Sequence, residues 1–147
     1  MKHSIRMVSL LLTVILIVSL CACGKPDPRA AMAGKYSFYA MKLGDSLVQI
    51  DEMKGYSVTL SADGTGSLDW GENNNGPISE WTADGEKLVI KAGISVMNAT
   101  MKDGVLTIDL SDSDYSMFSV FVSDSADTSS MPVITADEYA AQNGITQ

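Results

Sequence analysis

Residues 56–70 read YSVTLSADGTGSLDW, and this stretch decides the fold class. Apolar residues stand at every second position from Tyr56 to Leu60, which is the period of a half-buried β-strand. The dipeptide Asp63-Gly64 follows, and a second segment with apolar Leu68 comes after it. Asp-Gly between two such segments favours a tight hairpin turn, because that turn needs a positive φ angle. The stretch therefore predicts two antiparallel strands joined by a hairpin.

The same signal recurs twice along the chain, at Asp84-Gly85 and at Asp103-Gly104. Successive Asp-Gly pairs are 21 and 19 residues apart, which leaves room for one strand on each side of every turn. The apolar residues that flank the second and third pairs are Trp81, Leu88, Ile90, Met97, Ala99, Met101, Leu106, Ile108 and Leu110. The pattern predicts three successive hairpins.

Two outer strands complete the predicted sheet, at Lys35–Leu43 and at Tyr115–Val122. Even spacing and short turns favour an antiparallel meander, and closing the meander into a barrel removes its exposed strand edges. We therefore predict a mainly β domain over residues 34–122, built as an eight-stranded antiparallel barrel. A β-sandwich of two sheets is the alternative.

Two short helices are predicted outside these strands. Residues 45–55 place apolar side chains three apart and end in Gly55, which indicates a helical turn or two after the first strand. Near the C-terminus, Thr135 and Glu138 have the spacing of a capping box, and Asn143-Gly144 is typical of a helix end. Residues 123–147 are thus expected to form a polar loop followed by a short C-terminal helix.

The first residues of the chain have the pattern of an export signal. Lys2 and Arg6 precede a largely apolar run from Met7 to Leu20. These 14 residues are too few to cross a ~30 Å hydrocarbon core as a helix, but they suit the apolar region of a signal peptide. An uncleaved membrane anchor is the alternative.

The apolar run ends in Leu20-Cys21-Ala22-Cys23-Gly24, which resembles the lipobox of bacterial lipoproteins. The resemblance implies that a diacylglycerol is transferred to the Cys23 thiol and that residues 1–22 are then removed as a signal peptide. Two acyl chains are enough for stable anchoring, whereas a single chain binds only marginally. We expect an extracytoplasmic protein attached to the cell membrane through the lipid on Cys23, with residues 23–33 as its tether.

Processing at Cys23 would change the charge and the available chemistry. The remaining chain has 8 Lys and Arg against 18 Asp and Glu, a formal charge of −10, which opposes binding to nucleic acid. His3 is removed and Cys23 is consumed, so catalysis by histidine or thiol and zinc sites built on them are excluded. We therefore predict no catalytic residues, no enzyme activity and no cofactor.

Asp109, Asp112 and Asp114 form an acidic cluster, and carboxylates grouped in a loop are typical calcium ligands. An EF-hand loop that begins at Asp112 would need Gly at its sixth position and Glu at its twelfth, but Met117 and Ser123 stand there. The cluster is better interpreted as a polar hairpin loop, and no metal site is predicted.

The predicted arrangement resembles the lipocalin-like architecture, with eight strands, a longer insertion after the first strand and a helix after the last. It is also similar to small lipoprotein domains of Gram-positive bacteria that open with Gly-x-Tyr and contain an Asp-Gly-Thr-Gly hairpin. Those motifs are Gly34-Lys35-Tyr36 and Asp63-Gly64-Thr65-Gly66 here. The resemblance implies a barrel at the cell surface and adds little about activity.

Two functions remain open. An eight-stranded barrel is either filled by its own side chains or just wide enough for one small ligand. Methionine-rich surfaces repack around varied apolar partners, so the weak candidates for ligand contact are Met41, Met97, Met101, Met117, Trp70 and Trp81. The first hypothesis is a non-catalytic structural or protein-interaction domain with a filled core. The alternative is a surface module that binds a small apolar ligand or an envelope component.

Overall fold

The structure is a computed structural model, and it describes residues 27–71 and 75–145. The described residues form ten β-strands, two short α-helices and one 3-10 turn. The strands are β1 Gly34–Leu43, β2 Ser46–Gln49, β3 Ser57–Leu60, β4 Gly66–Asp69, β5 Gly76–Asp84, β6 Lys87–Ala92, β7 Ser95–Lys102, β8 Val105–Asp109, β9 Met117–Val122 and β10 Ile134–Thr135. The helices are α1 Pro28–Met32 and α2 Ala136–Gln142, and the 3-10 turn is Asp51–Met53.

Eight of the strands close into an antiparallel barrel. Neighbours in the sheet follow the order β1, β3, β4, β5, β6, β7, β8, β9, and β9 pairs back onto β1 from Ser37↔Val122 to Leu43↔Met117. β2 and β10 lie outside the barrel, β2 antiparallel to the second half of β1 and β10 parallel to β2. The predicted eight-stranded barrel is confirmed, and the β-sandwich alternative is wrong.

The three predicted hairpins are present, and their turns have the predicted backbone. Gly64, Gly85 and Gly104 have φ angles of 90°, 60° and 79°, and Asp103 has a φ of 50°. Positive φ at both Asp103 and Gly104 is the conformation of a type I′ turn, whose twist matches that of the flanking strands. Asp-Gly is therefore required here by backbone conformation, because most other residues disfavour positive φ.

The Asp63-Gly64-Thr65-Gly66 motif is held by bonds within the turn and by the neighbouring strand β5. The Asp63 carboxylate accepts hydrogen bonds from the Thr65 backbone N–H at 2.9 Å and from its hydroxyl at 2.7 Å. The Gly64 carbonyl accepts from the backbone N–H of Trp81 at 2.7 Å. A Cβ on Gly66 would collide with the backbone carbonyl oxygen of Thr59 on β3. Gly66 is therefore needed because β3 and β4 approach closely, whereas Gly64 is needed because its φ angle is positive.

Gly66→Ala should destabilise the barrel by about 1–3 kcal/mol, because β3 and β4 must separate to admit the added methyl group. Gly76→Ala is the matched control, since the described residues leave open space around a Cβ there and its φ is not positive. Urea denaturation of the two variants measures the difference. Equal midpoints would contradict the close approach at Gly66.

The segment after β1 differs from the prediction. Gly44, with a φ of 60°, turns the chain straight back, so residues 46–49 pair with β1 as strand β2 instead of starting a helix. Helical structure is limited to the single 3-10 turn at Asp51–Met53. Hairpin pairing, which buries Val48, outweighs the three-residue spacing of apolar side chains that indicated a helix.

The two ends of the described chain contain one expected and one unexpected helix. At α2, Thr135 and Glu138 form the predicted capping box, and Gly144 has a φ of 67° just after the helix end. Residues 28–32, which the sequence analysis placed in the tether, form helix α1. Asp27 caps α1 by accepting from the Arg29 N–H, and Pro28 suits its first position because that residue needs no hydrogen-bond donor.

The barrel interior is one apolar cluster contributed by every strand of the barrel. Its largest fully buried members are Trp81 and Phe121. The segment after β9 covers part of the outer wall, where the Tyr39 hydroxyl donates to the Met131 carbonyl at 2.6 Å. Ala40 and Val120, which pair across β1 and β9 on the face opposite the core, are also buried.

Candidate interaction surface

Because the barrel strands alternate in direction, its connections fall at two opposite ends. One end, called the α1 end, carries the start of β1 and the turns at residues 61–65, 85–86 and 103–104. The other, called the loop end, carries the turns at residues 44–45 and 93–94, the end of β4, the start of β5 and the connection at residues 110–116. A partner could therefore bind at the α1 end, at the loop end or on the outer wall.

The α1 end is covered by helix α1. Met32 packs against the apolar cluster inside the barrel, and its carbonyl accepts a 2.7 Å hydrogen bond from the Tyr36 hydroxyl. Burial raises the pKa of the Tyr36 phenol further above its usual value. Arg29 forms an ion pair with Asp27 at 2.6 Å and reaches the Asp63 carbonyl at 3.5 Å. Helix α1 is thus attached both to the interior and to the first hairpin turn.

The loop end exposes large apolar side chains. Ile94, in the two-residue turn between β6 and β7, is fully exposed, and Val96 on the same hairpin is 64% exposed. Tyr115, in the connection between β8 and β9, is 60% exposed. Ile94 and Val96 are two residues apart at one hairpin tip, and both side chains are mostly exposed. Apolar side chains grouped in this way are a common feature of interaction sites.

Carboxylates stand around the connection at residues 110–116 on the same end. Hydrogen bonding to Ser111 lowers the pKa of Asp109, and backbone N–H groups of Asp114 and Tyr115 lower the pKa of Asp112. These hydrogen bonds favour the ionised form of both carboxylates. They also stabilise their own loop, because each carboxylate accepts bonds from residues two or three positions further along.

Aromatic rings partly close the core at the loop end. Trp70 and Tyr56 are half-buried and pack against the apolar cluster. The Trp70 indole N–H is buried and has no hydrogen-bond acceptor among the described residues. Gly71 has a φ of 86°, and a Cβ there would lie 3.1 Å from the Tyr56 ring, so the backbone conformation and the ring both favour glycine.

The six residues predicted as weak candidates for ligand contact do not meet in one place. Met97 and Met101 are buried members of the core cluster, and Met41 is buried beside Ser119, whose hydroxyl lies 3.1 Å from the Met41 sulfur. Met117 is half-buried at the start of β9. Trp81 lies at the α1 end with its indole N–H donating to two carbonyls, and Trp70 lies at the loop end. Ligand contact through these six side chains remains a prediction.

The outer wall carries a groove of about 350 Å³ that the sequence analysis missed. Most of its lining residues point away from the core, among them Val89, Asn98, Thr107 and Phe118. Val89 and Phe118 are apolar residues at outward positions of their strands, and this departure from alternation is the signal that could have indicated the groove. None of the six candidates above lines it.

No three His, Cys, Asp or Glu side chains among residues 27–71 and 75–145 are grouped so that they could hold a metal ion. No helix within these ranges has the length and apolar character needed to span a bilayer. Cys23, the signal peptide over residues 1–22 and the first residues of the tether lie outside the described ranges.

Comparison of the chain with protein-family models, with curated proteins and with solved structures found no significant match.

Proposed function

We propose that this chain is an extracytoplasmic lipoprotein, attached to the cell membrane through a lipid on Cys23, whose barrel is a non-catalytic protein-interaction module. The observation that carries the interaction role is the apolar hairpin tip at Ile94 and Val96, exposed beside an interior that is occupied by its own side chains. Exposing both residues to water forgoes favourable burial, and docking against a partner would recover it. The proposed partner is a protein of the cell envelope.

Cys23→Ser should abolish acylation and leave the precursor uncleaved, since the proposed lipid attaches to the thiol of this residue. Cys21→Ser should change neither, because Cys21 would leave with the signal peptide. Metabolic labelling with palmitate, followed by electrophoresis, measures both effects. Label retained in the Cys23 variant would contradict the proposed anchor.

A photo-reactive amino acid in place of Ile94 should form a discrete protein adduct in intact cells. The same amino acid in place of Glu86, which is exposed in a turn at the α1 end, should form none. Val96→Lys should weaken the adduct several-fold, because the charge would be buried at the proposed contact. Equal adducts at both positions, or none at Ile94, would contradict the interaction role.

A second candidate function, binding of a small apolar ligand, is supported by the groove on the outer wall. Its volume of about 350 Å³ suits a small molecule, and Val89 and Phe118 provide apolar contacts. The site proposed for this alternative is therefore outside the barrel. Phe118→Asp should weaken uptake of an apolar probe without changing the Ile94 adduct, which separates the two functions.

A further inference from the structure

The position of helix α1 limits how far the barrel can stand from its lipid. Only four peptide units separate Cys23 from Asp27, the residue that caps α1. A fully extended chain spans at most about 14 Å over that distance, whereas a free tether up to Gly34 would span about 35 Å or more. Docking of α1 therefore removes more than half of the reach that the tether would otherwise have.

The contacts that hold α1 lie at one end of the barrel. Met32 packs on the core next to the start of β1, and Arg29 reaches the turn between β3 and β4. The helix also contacts β5, whose last residue, Asp84, is at this same end. The point from which the chain leaves towards Cys23 is thus fixed at the α1 end.

The barrel is taller than the short tether is long. β7 has eight residues, so with a rise of about 3.4 Å per residue and the usual strand tilt the wall is roughly 20 Å high. A tether of about 14 Å that starts at the α1 end is too short to let the barrel invert, because its loop end would then face the membrane and its α1 end would stand roughly 20 Å above it.

We propose that docked α1 makes the α1 end of the barrel the membrane-facing surface and directs the loop end, with Ile94 and Val96, away from the bilayer. This inference rests on the proposed lipid at Cys23. The occupant of the α1 end is the lipid surface itself, and the turns at residues 61–65, 85–86 and 103–104 are nearest to it. The hairpin tip is then available to a partner on the outer side.

The test uses the lipidated mature protein bound to phosphatidylcholine vesicles that contain a lipid with a quencher on its headgroup. A fluorophore is attached through Glu86→Cys at the α1 end or through Ile94→Cys at the loop end, and processing would leave no other free thiol. We expect several-fold stronger quenching at position 86 than at position 94. Equal quenching, or stronger quenching at position 94, would overturn the orientation.

Releasing α1 from the barrel should remove the difference in quenching between positions 86 and 94. The triple variant Arg29→Ala with Met32→Ser and Tyr36→Phe removes the Met32 packing and the bonds to the Asp63 and Met32 carbonyls, and it keeps the Tyr36 ring in the core. Lys54→Ala is the control, because it removes an exposed ion pair with Asp51 on another part of the surface. Circular dichroism of both variants confirms that the barrel is folded. A released α1 that leaves the quenching difference unchanged would overturn the role of the helix.

The two proposals fail in different ways. Protein that does not float with the vesicles overturns the lipid anchor, and the orientation with it. Protein that floats but is quenched equally at positions 86 and 94 overturns only the orientation, and the anchor stands.

Discussion

Trp81→Ala should lower the free energy of unfolding by about 3–5 kcal/mol, because it removes the largest fully buried side chain of the barrel. A domain of this size is stable by roughly 5–15 kcal/mol in total, so the loss would be a large part of it. The corresponding fall in melting temperature is roughly 10–30 °C. Urea denaturation and thermal melting followed by circular dichroism measure both quantities.

Packing accounts for most of the expected loss at Trp81. The indole N–H donates to the carbonyls of Ser61 and Thr65 at 2.9 and 3.0 Å. Each carbonyl also accepts a backbone hydrogen bond within the turn, so neither is left unpaired when the indole is removed. The hydrogen bonds are therefore worth only about 0.5–1.5 kcal/mol, and the cavity contributes the rest.

Trp81→Phe separates these two contributions, because it keeps a large ring and removes the donor. We expect it to lose clearly less stability than Trp81→Ala. Trp70→Ala is the second comparison, since Trp70 is only half-buried and lies at the opposite end. If Trp70→Ala proves as costly as Trp81→Ala, the larger stabilisation expected from the fully buried Trp81 is wrong.

The hairpins could be predicted because their signal is local. Positive φ at Gly64, Gly85 and Gly104 follows from Asp-Gly between alternating segments, and no distant contact is needed to explain it. Closure into a barrel was inferred from strand number and even spacing, and the pairing of β1 with β9 confirms it. The capping box at Thr135 is local in the same sense.

The features that could not be predicted depend on contacts between distant parts of the chain. β2 forms a strand because β1 offers it an edge, and β10 then adds to β2 from about 85 residues further along. Helix α1 is only five residues long, which is too short to be stable alone, and it depends on Met32 and Arg29 binding to the barrel. Neither the pairing of β2 with β1 nor the pairing of β10 with β2 has a signal within its own segment.

The candidate surface was also only partly predictable. Alternation correctly indicated that Met97 and Met101 lie on strands, but the same alternation points them into the core. Ile94 stands directly after Gly93 in a two-residue turn, and an apolar residue at such an exposed position is a signal that sequence analysis could have used. Acylation of Cys23 is still a prediction from the sequence.

Phe121→Ala should be the second most costly substitution, with an expected loss of about 3–5 kcal/mol. Phe121 is fully buried on β9 and pairs with Phe38 of β1 across the junction that closes the barrel. The two rings meet edge to face, with centroids 5.8 Å apart and an angle of 79° between their planes. This geometry is worth about 0.5–1.5 kcal/mol beyond the burial of the rings themselves.

The location of Phe121 predicts where the weakened barrel opens. The variant loses side-chain contacts at the β1–β9 junction, so amide hydrogen exchange should accelerate in β1 and β9 more than in β6 and β7. A double-mutant cycle with Phe38→Ala should measure the interaction free energy between the two rings. Val89→Ala, half-buried on the outer wall, is the control and should cost no more than about 1 kcal/mol. Uniform acceleration in all eight strands would show that the junction is no weaker than the rest of the barrel, because the variant then opens only by global unfolding.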